Sequence, residues 1–124
     1  MAWNLDAGRP IYVQLVEKLQ LQIISGYYPP GGKLPGVREL AAEAAVNPNT
    51  MQKAFAELER DGLIITQSTN GRIVTEDTEL IRHNRLSLAR KHASMFLAGM
   101  RGLGYAEDEA IAVLNGMKGG TASE

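Results

Sequence analysis

The chain has 124 residues, 44% hydrophobic and 22% charged, a globular composition long enough for one modest core and at most one accessory element. Its 13 basic and 14 acidic residues give a formal charge of -1, so there is no basic tail and any polyanion contact must come from a local patch. The absence of Cys excludes disulfide scaffolds, thiolate zinc sites and cysteine nucleophiles, and suits a reducing compartment.

No apolar run approaches the roughly 20 residues of a membrane helix. The start, Met1-Ala2-Trp3-Asn4-Leu5-Asp6, lacks the basic and apolar regions of an export signal, so a cytoplasmic protein without a membrane partner is expected. Between residues 10 and 25, Ile11, Leu15, Leu19 and Ile23 recur at helical spacing with Tyr12 and Val16 beside them. Pro10 suits the first helical position and Gly26 can close the helix in the left-handed conformation. The stretch from Tyr27 to Gly36 holds three prolines and three glycines, which predicts an extended loop. Tyr27 and Tyr28 are expected to pack on the helix before them rather than to line a ligand pocket.

Residues 37–44 are rich in helix formers, with Val37, Leu40, Ala41 and Ala44 on one face. Asn47-Pro48 sets an N-cap acceptor before a proline at the first helical position, and Met51, Ala54, Phe55 and Leu58 then form a stripe that ends at Asp61-Gly62. Two short helices separated by Ala45-Val46-Asn47 meet the requirement of a helix-turn-helix. Behind them, the β-branched run 63–67, the Asn70-Gly71 turn signal and the short run 72–75 predict a β-hairpin, too small to be stable unless it packs on the helices. A hairpin in that place is the wing of a winged-helix domain.

Asp77 can cap a long helix through about residue 100, with Leu80, Ile81, Leu88, His92, Met95, Phe96 and Gly99 along a broad face, broken at Gly102-Leu103-Gly104. A last helix over 107–117 carries Glu107-Asp108-Glu109 at its N-terminus, where the helix dipole favours acids, with Ala110, Ile111, Leu114 and Met117 on one side. The tail from Gly119 to Glu124 reads as frayed. A two-helix element of this size cannot enclose a core of its own, and a second copy of the chain is the economical partner. The reading is therefore a mainly α fold with one small β-hairpin: a winged helix-turn-helix over 1–75 and a helical dimerisation element over 76–124.

Leu34-Pro35-Gly36-Val37-Arg38-Glu39-Leu40-Ala41, Val46-Asn47-Pro48-Asn49-Thr50-Met51-Gln52-Lys53-Ala54-Phe55 and Glu57-Leu58-Glu59-Arg60-Asp61-Gly62-Leu63-Ile64 resemble, in order and spacing, the N-terminal domain of GntR-type bacterial transcription regulators. The short helical tail resembles the YtrA-like branch, whose members carry two C-terminal helices for dimerisation. The resemblance implies a homodimeric regulator, most simply a repressor, that binds palindromic double-stranded operator DNA. It further implies that Arg38 meets phosphate or guanine, that Thr50 meets phosphate and that Gly71 lets the wing backbone approach a strand. Two departures stand out. Gly36 replaces the usual Ser and gives no side-chain cap, and the wing around Gly71 has one Arg, which predicts a weaker phosphate grip.

A recognition helix in the major groove reads base edges with its N-terminal residues, and Asn or Gln pairs with adenine at two points. Asn47, Asn49 and Gln52 stand where that reading is done, while Lys33, Lys53 and Arg72 add charge. Through residue 75, seven basic residues (Arg9, Lys18, Lys33, Arg38, Lys53, Arg60, Arg72) meet seven acidic ones (Asp6, Glu17, Glu39, Glu43, Glu57, Glu59, Asp61), so binding depends on how the charges are placed.

Enzyme, metal and cofactor readings find no support. His83 and His92, nine residues apart, lie about half a turn from each other around a helix and cannot share an ion within a chain. His92, on the apolar face, reads as packed. Gly99-Met100-Arg101-Gly102-Leu103-Gly104 follows a helix rather than a strand, and Gly31-Gly32-Lys33 lacks the spacing of a P-loop. No nucleophile motif or pair of catalytic carboxylates is recognisable. The rival to a DNA-binding regulator is a winged-helix module that senses a small molecule or binds a protein, motivated by the acidic pI and sparse wing. No residue identifies an effector.

Overall fold

Three helices turn their apolar faces toward one another: α1 (Ile11–Ile24), α2 (Val37–Ala44) and α3 (Pro48–Arg60). Leu15, Leu19 and Ile23 of α1, Leu40, Ala41 and Ala44 of α2, and Met51, Ala54, Phe55 and Leu58 of α3 are all buried in one cluster, the set that helical spacing singles out. The structure is a computed structural model and describes residues 3–67 and 71–118. The Asn70 half of the expected Asn-Gly turn and the tail at 119–124 lie outside the described residues.

The chain divides into two compact units, Met1–Asn84 and Arg85–Glu124. Packing in the first continues beyond Thr75, because Ile81 is buried in the same core and Leu80 packs against it.

The first unit closes its core with an antiparallel hairpin of β1 (Ile64–Gln67) and β2 (Gly71–Val74), with Ile64 opposite Val74 and Gln67 opposite Gly71. β1 starts one residue later than its expected run and ends where expected, and β2 lies one residue earlier than its expected span. Leu63, Ile64 and Val74 bring the hairpin into the core. The Pro- and Gly-rich loop does more than connect. Lys33 bridges antiparallel to Ile73, and backbone bonds run from Gly31 N to Val74 O and from Leu34 N to Arg72 O, both 2.9 Å. The loop thus covers the free edge of β2 with an extended segment that no alternation of residues announced.

Pro10 sits one residue before α1 with extended ψ of 132°, not at the first helical position, and Gly26 closes the helix with φ of +88°. Of the two tyrosines after α1, Tyr28 packs against the core whereas Tyr27 is 69% exposed, the rings meeting edge-on at 4.9 Å. The N-terminal segment is also part of the fold. Trp3 and Leu5 pack against the core, and buried Gln14 ties the segment down by accepting from Asp6 N and donating to Asp6 O, both at 2.6 Å.

Helix α4 (Thr78–Gly102) starts in the first unit, where Asp77 Oδ1 accepts from Leu80 N at 3.1 Å as the N-cap. It runs through Gly102, and the break comes at Gly104, whose φ is +98°. In the second unit, α5 (Glu107–Met117) begins with Glu109 Oε1 accepting from Ala106 N at 2.7 Å. Among the described residues of this unit only Ala110 is buried. Leu86, Met95, Ile111, Leu114 and Met117 are exposed. His92 is exposed as well, so within one chain it does not pack as the sequence suggested.

Candidate nucleic-acid interface

The turn between α2 and α3 is tight because Ala45 takes the left-handed conformation, φ 61° and ψ 48°. Val46 N returns to Ala41 O at 2.9 Å, reversing the chain within three residues. A left-handed L-residue other than Gly costs roughly 1–2 kcal/mol, which the surrounding core must offset. Asn47 then starts α3. Its Oδ1 accepts from Asn49 N at 2.7 Å, and Pro48 follows where a missing N–H costs nothing.

This geometry divides the amide residues by task. The cap engages one lone pair of the Asn47 side-chain oxygen and pins it against the start of α3, so the residue presents its NH2 donors more freely than the oxygen that two-point pairing with adenine needs. Asn49 and Gln52 are exposed on the first turns of α3 and keep both functions for a ligand. Thr50 is half-buried, its backbone N bonded to Asn47 O at 3.0 Å. Met51, Ala54, Phe55 and Leu58 face inward, so one helix separates polar reach from core packing.

The seven basic residues of this region also separate. Arg9 pairs with Glu17 at 2.7 Å, Arg60 with Glu57 at 2.6 Å, and Arg72 with Glu59 at 3.4 Å. Lys18 lies over the Trp3 ring at 5.7 Å. Lys33 and Arg38 are exposed and make no ion pair among the described residues, and Lys53, also exposed, lies 5.6 Å over the ring of Tyr12. Zero net charge through residue 75 therefore conceals four cations outside the ion pairs of the described residues: Lys18, over Trp3 on α1, and Lys33 on the loop before α2, Arg38 on α2 and Lys53 on α3.

Arg72 is placed differently from the other expected cations. Its guanidinium covers the Phe55 ring at 5.2 Å and meets Glu59, which also accepts from the Thr66 hydroxyl. The charge is engaged in seating the wing on α3. Gly71, at φ +75°, is exposed, and a side chain there would strain the backbone. Between wing and helix lies an open cleft of about 600 Å3 lined by Lys33, Leu34, Pro35, Gly36, Glu39, Gly71 and Arg72. It opens at the start of α2, where Gly36 offers no side-chain cap.

Three participants escaped the sequence reading: Tyr12, Glu57 and Glu59. The Tyr12 hydroxyl donates to Glu57 Oε1 at 3.2 Å. Burial, then the hydrogen bond and charge of Glu57, push the Tyr12 pKa above its usual 10, so the phenol stays protonated at neutral pH. Tyr12 is only an apolar-stripe residue in sequence, and its partner is 45 residues away.

Residues 11–74 match the family model for bacterial regulatory proteins of the gntR family. The chain belongs to the GntR family. It is 33% identical over 108 residues to the HTH-type regulator YhcF of Bacillus subtilis, covering 87% of this chain and 89% of that one. It is 43% identical over 73 residues to the repressor YtrA of the same organism, covering 59% of this chain and 56% of the repressor. Among solved structures, a GntR regulator from Listeria monocytogenes superposes with a TM-score of 0.82 at 37% identity, over 90% of this chain and 97% of that chain. The DNA-binding domain of AraR in complex with its operator superposes with a TM-score of 0.52 at 28% identity, over 60% of this chain and 92% of that domain. The protein is thus a transcriptional regulator with a GntR-type winged-helix DNA-binding domain, in a family of regulators rather than enzymes. The resemblance to GntR regulators drawn from the motifs, and the YtrA-like branch drawn from the short helical tail, both hold.

Proposed function

We propose that the protein is a homodimeric repressor that binds a palindromic operator in the cytoplasm, each chain reading one half-site. The observation that carries this reading is the coincidence of polar and cationic freedom on one helix-turn-helix and the loop that leads into it. Asn49 and Gln52 keep both amide functions, and Lys33, Arg38 and Lys53 stay outside the ion pairs that engage the neighbouring arginines. Asn49 and Gln52 read base edges, with Asn47 adding its NH2 donors beside its cap. Arg38, Lys53 and Thr50 contact phosphate, Lys33 serves the cleft beside the wing, and Gly71 and Arg72 hold the wing backbone near the strand. The kinship with YtrA and with the operator-bound AraR domain supports DNA as ligand.

Dimerisation falls to the second unit, whose exposed Ile111, Leu114 and Met117 recur along one side of α5 and leave apolar surface for a second copy to bury. The test is selection of bound sequences from a random duplex pool, followed by titration of the enriched duplex across salt. A palindrome is expected. With Lys33, Arg38 and Lys53 meeting phosphate in each chain, about six phosphates are neutralised per dimer, for a log–log salt slope of about -5. No enrichment, or a flat salt response, would overturn the reading in favour of a ligand- or protein-binding module.

A further inference from the structure

Lys53 and Glu57 are four residues apart on α3, the spacing at which opposite charges on a helix meet. They do not pair. Glu57 Oε1 instead takes Arg60 Nη1 at 2.6 Å and the Tyr12 hydroxyl at 3.2 Å, while the Lys53 ammonium rests 5.6 Å over the Tyr12 ring, within the range of a cation–π contact. One residue of α1 thus touches both members of a latent ion pair on α3 and holds them apart.

A lysine already neutralised by a neighbouring carboxylate must break that pair to meet phosphate, and it contributes less to counterion release. We infer that Tyr12 is a positioning residue for DNA binding: its hydroxyl helps occupy Glu57 and its ring carries the Lys53 ammonium, so that this charge stays available to a phosphate. The inference rests on the proposed reading of α3 as the DNA-facing helix. It assigns a binding task to a position that the sequence marks only as part of an apolar stripe. The ring is the larger element of the device, because Arg60 continues to engage Glu57 when the hydroxyl is removed.

The experiment measures what Lys53→Ala does in different Tyr12 backgrounds, using the enriched duplex, or a random duplex of equal length where none is enriched. In the native protein, Lys53→Ala is expected to weaken binding evenly across sequences and to lower the magnitude of the salt slope by about one per chain. In Tyr12→Leu the same substitution should change the slope by less than half as much. In Tyr12→Phe it should keep its full effect, and adding Glu57→Gln to Tyr12→Leu should restore it. Tyr12→Met, which also lacks an aromatic face, replaces Tyr12→Leu if thermal unfolding shows that the latter does not fold. An undiminished Lys53→Ala effect in Tyr12→Leu overturns the inference and leaves the DNA reading standing. So does a Tyr12→Phe protein that loses the Lys53 effect as fully as Tyr12→Leu. A silent Lys53→Ala in the native protein overturns the phosphate role of Lys53 and the inference together.

Discussion

The two units solve the problem of apolar surface in opposite ways. In Met1–Asn84, the inward residues of three helices, the hairpin and Ile81 close around Phe55, and the polar residues left outside are free to meet a ligand. In Arg85–Glu124, the described residues bury only Ala110, while Leu103 is 75% exposed and Met95 68%. The lesson concerns geometry more than composition. Three short helices crossing one another with a hairpin surround a volume, whereas the apolar side chains of α4 beyond Asn84 and of α5 stay largely in contact with water within a single chain.

The comparison is broken most severely at Phe55. Phe55→Ala should destabilise the first unit by about 3–5 kcal/mol in urea denaturation, because the ring fills the centre of the core and supports Arg72 at the wing. A small effect would mean that the helices close without it. Next in size, Leu114→Asp should turn the proposed dimer into monomers by light scattering and lower affinity for the selected duplex by about 10²-fold through lost bivalency, with the denaturation midpoint of the first unit unchanged. Retention of the dimer would move the interface off this side of α5. Asn49→Ala should cost about 1–3 kcal/mol of operator binding and relax selectivity at one base position, with stability and oligomeric state intact. The smallest change is favourable. Ala45→Gly should stabilise the first unit by about 0.5–1 kcal/mol, since relief of the left-handed strain exceeds the entropy that glycine adds to the unfolded chain.

Much of this architecture was legible residue by residue. The bounds of α2, α3 and α5 follow from stripes, caps and stops that are local in the chain, and Asn47-Pro48 announced both the start of α3 and its capping bond. The extended segment over β2 was not legible, because proline and glycine report only that a helix cannot continue and say nothing of which edge an extended chain will cover. Nor was the structural task of Arg72. In sequence it is a cation on a wing, and only the fold lays it across Phe55 and Glu59.

The sequence by itself determined the helix-turn-helix, the hairpin behind it, the inward set of core residues and the resemblance to GntR regulators, since all of these are written in spacings of a few residues. The tertiary structure alone decided which charges remain free. Seven basic and seven acidic residues cancel in any count through residue 75, and the outcome depends on pairs such as Arg72 with Glu59, 13 residues apart, and on the Tyr12 ring beneath Lys53 from another helix. Coulomb and cation–π interactions act over a few ångströms of space, a distance that a linear sequence does not contain.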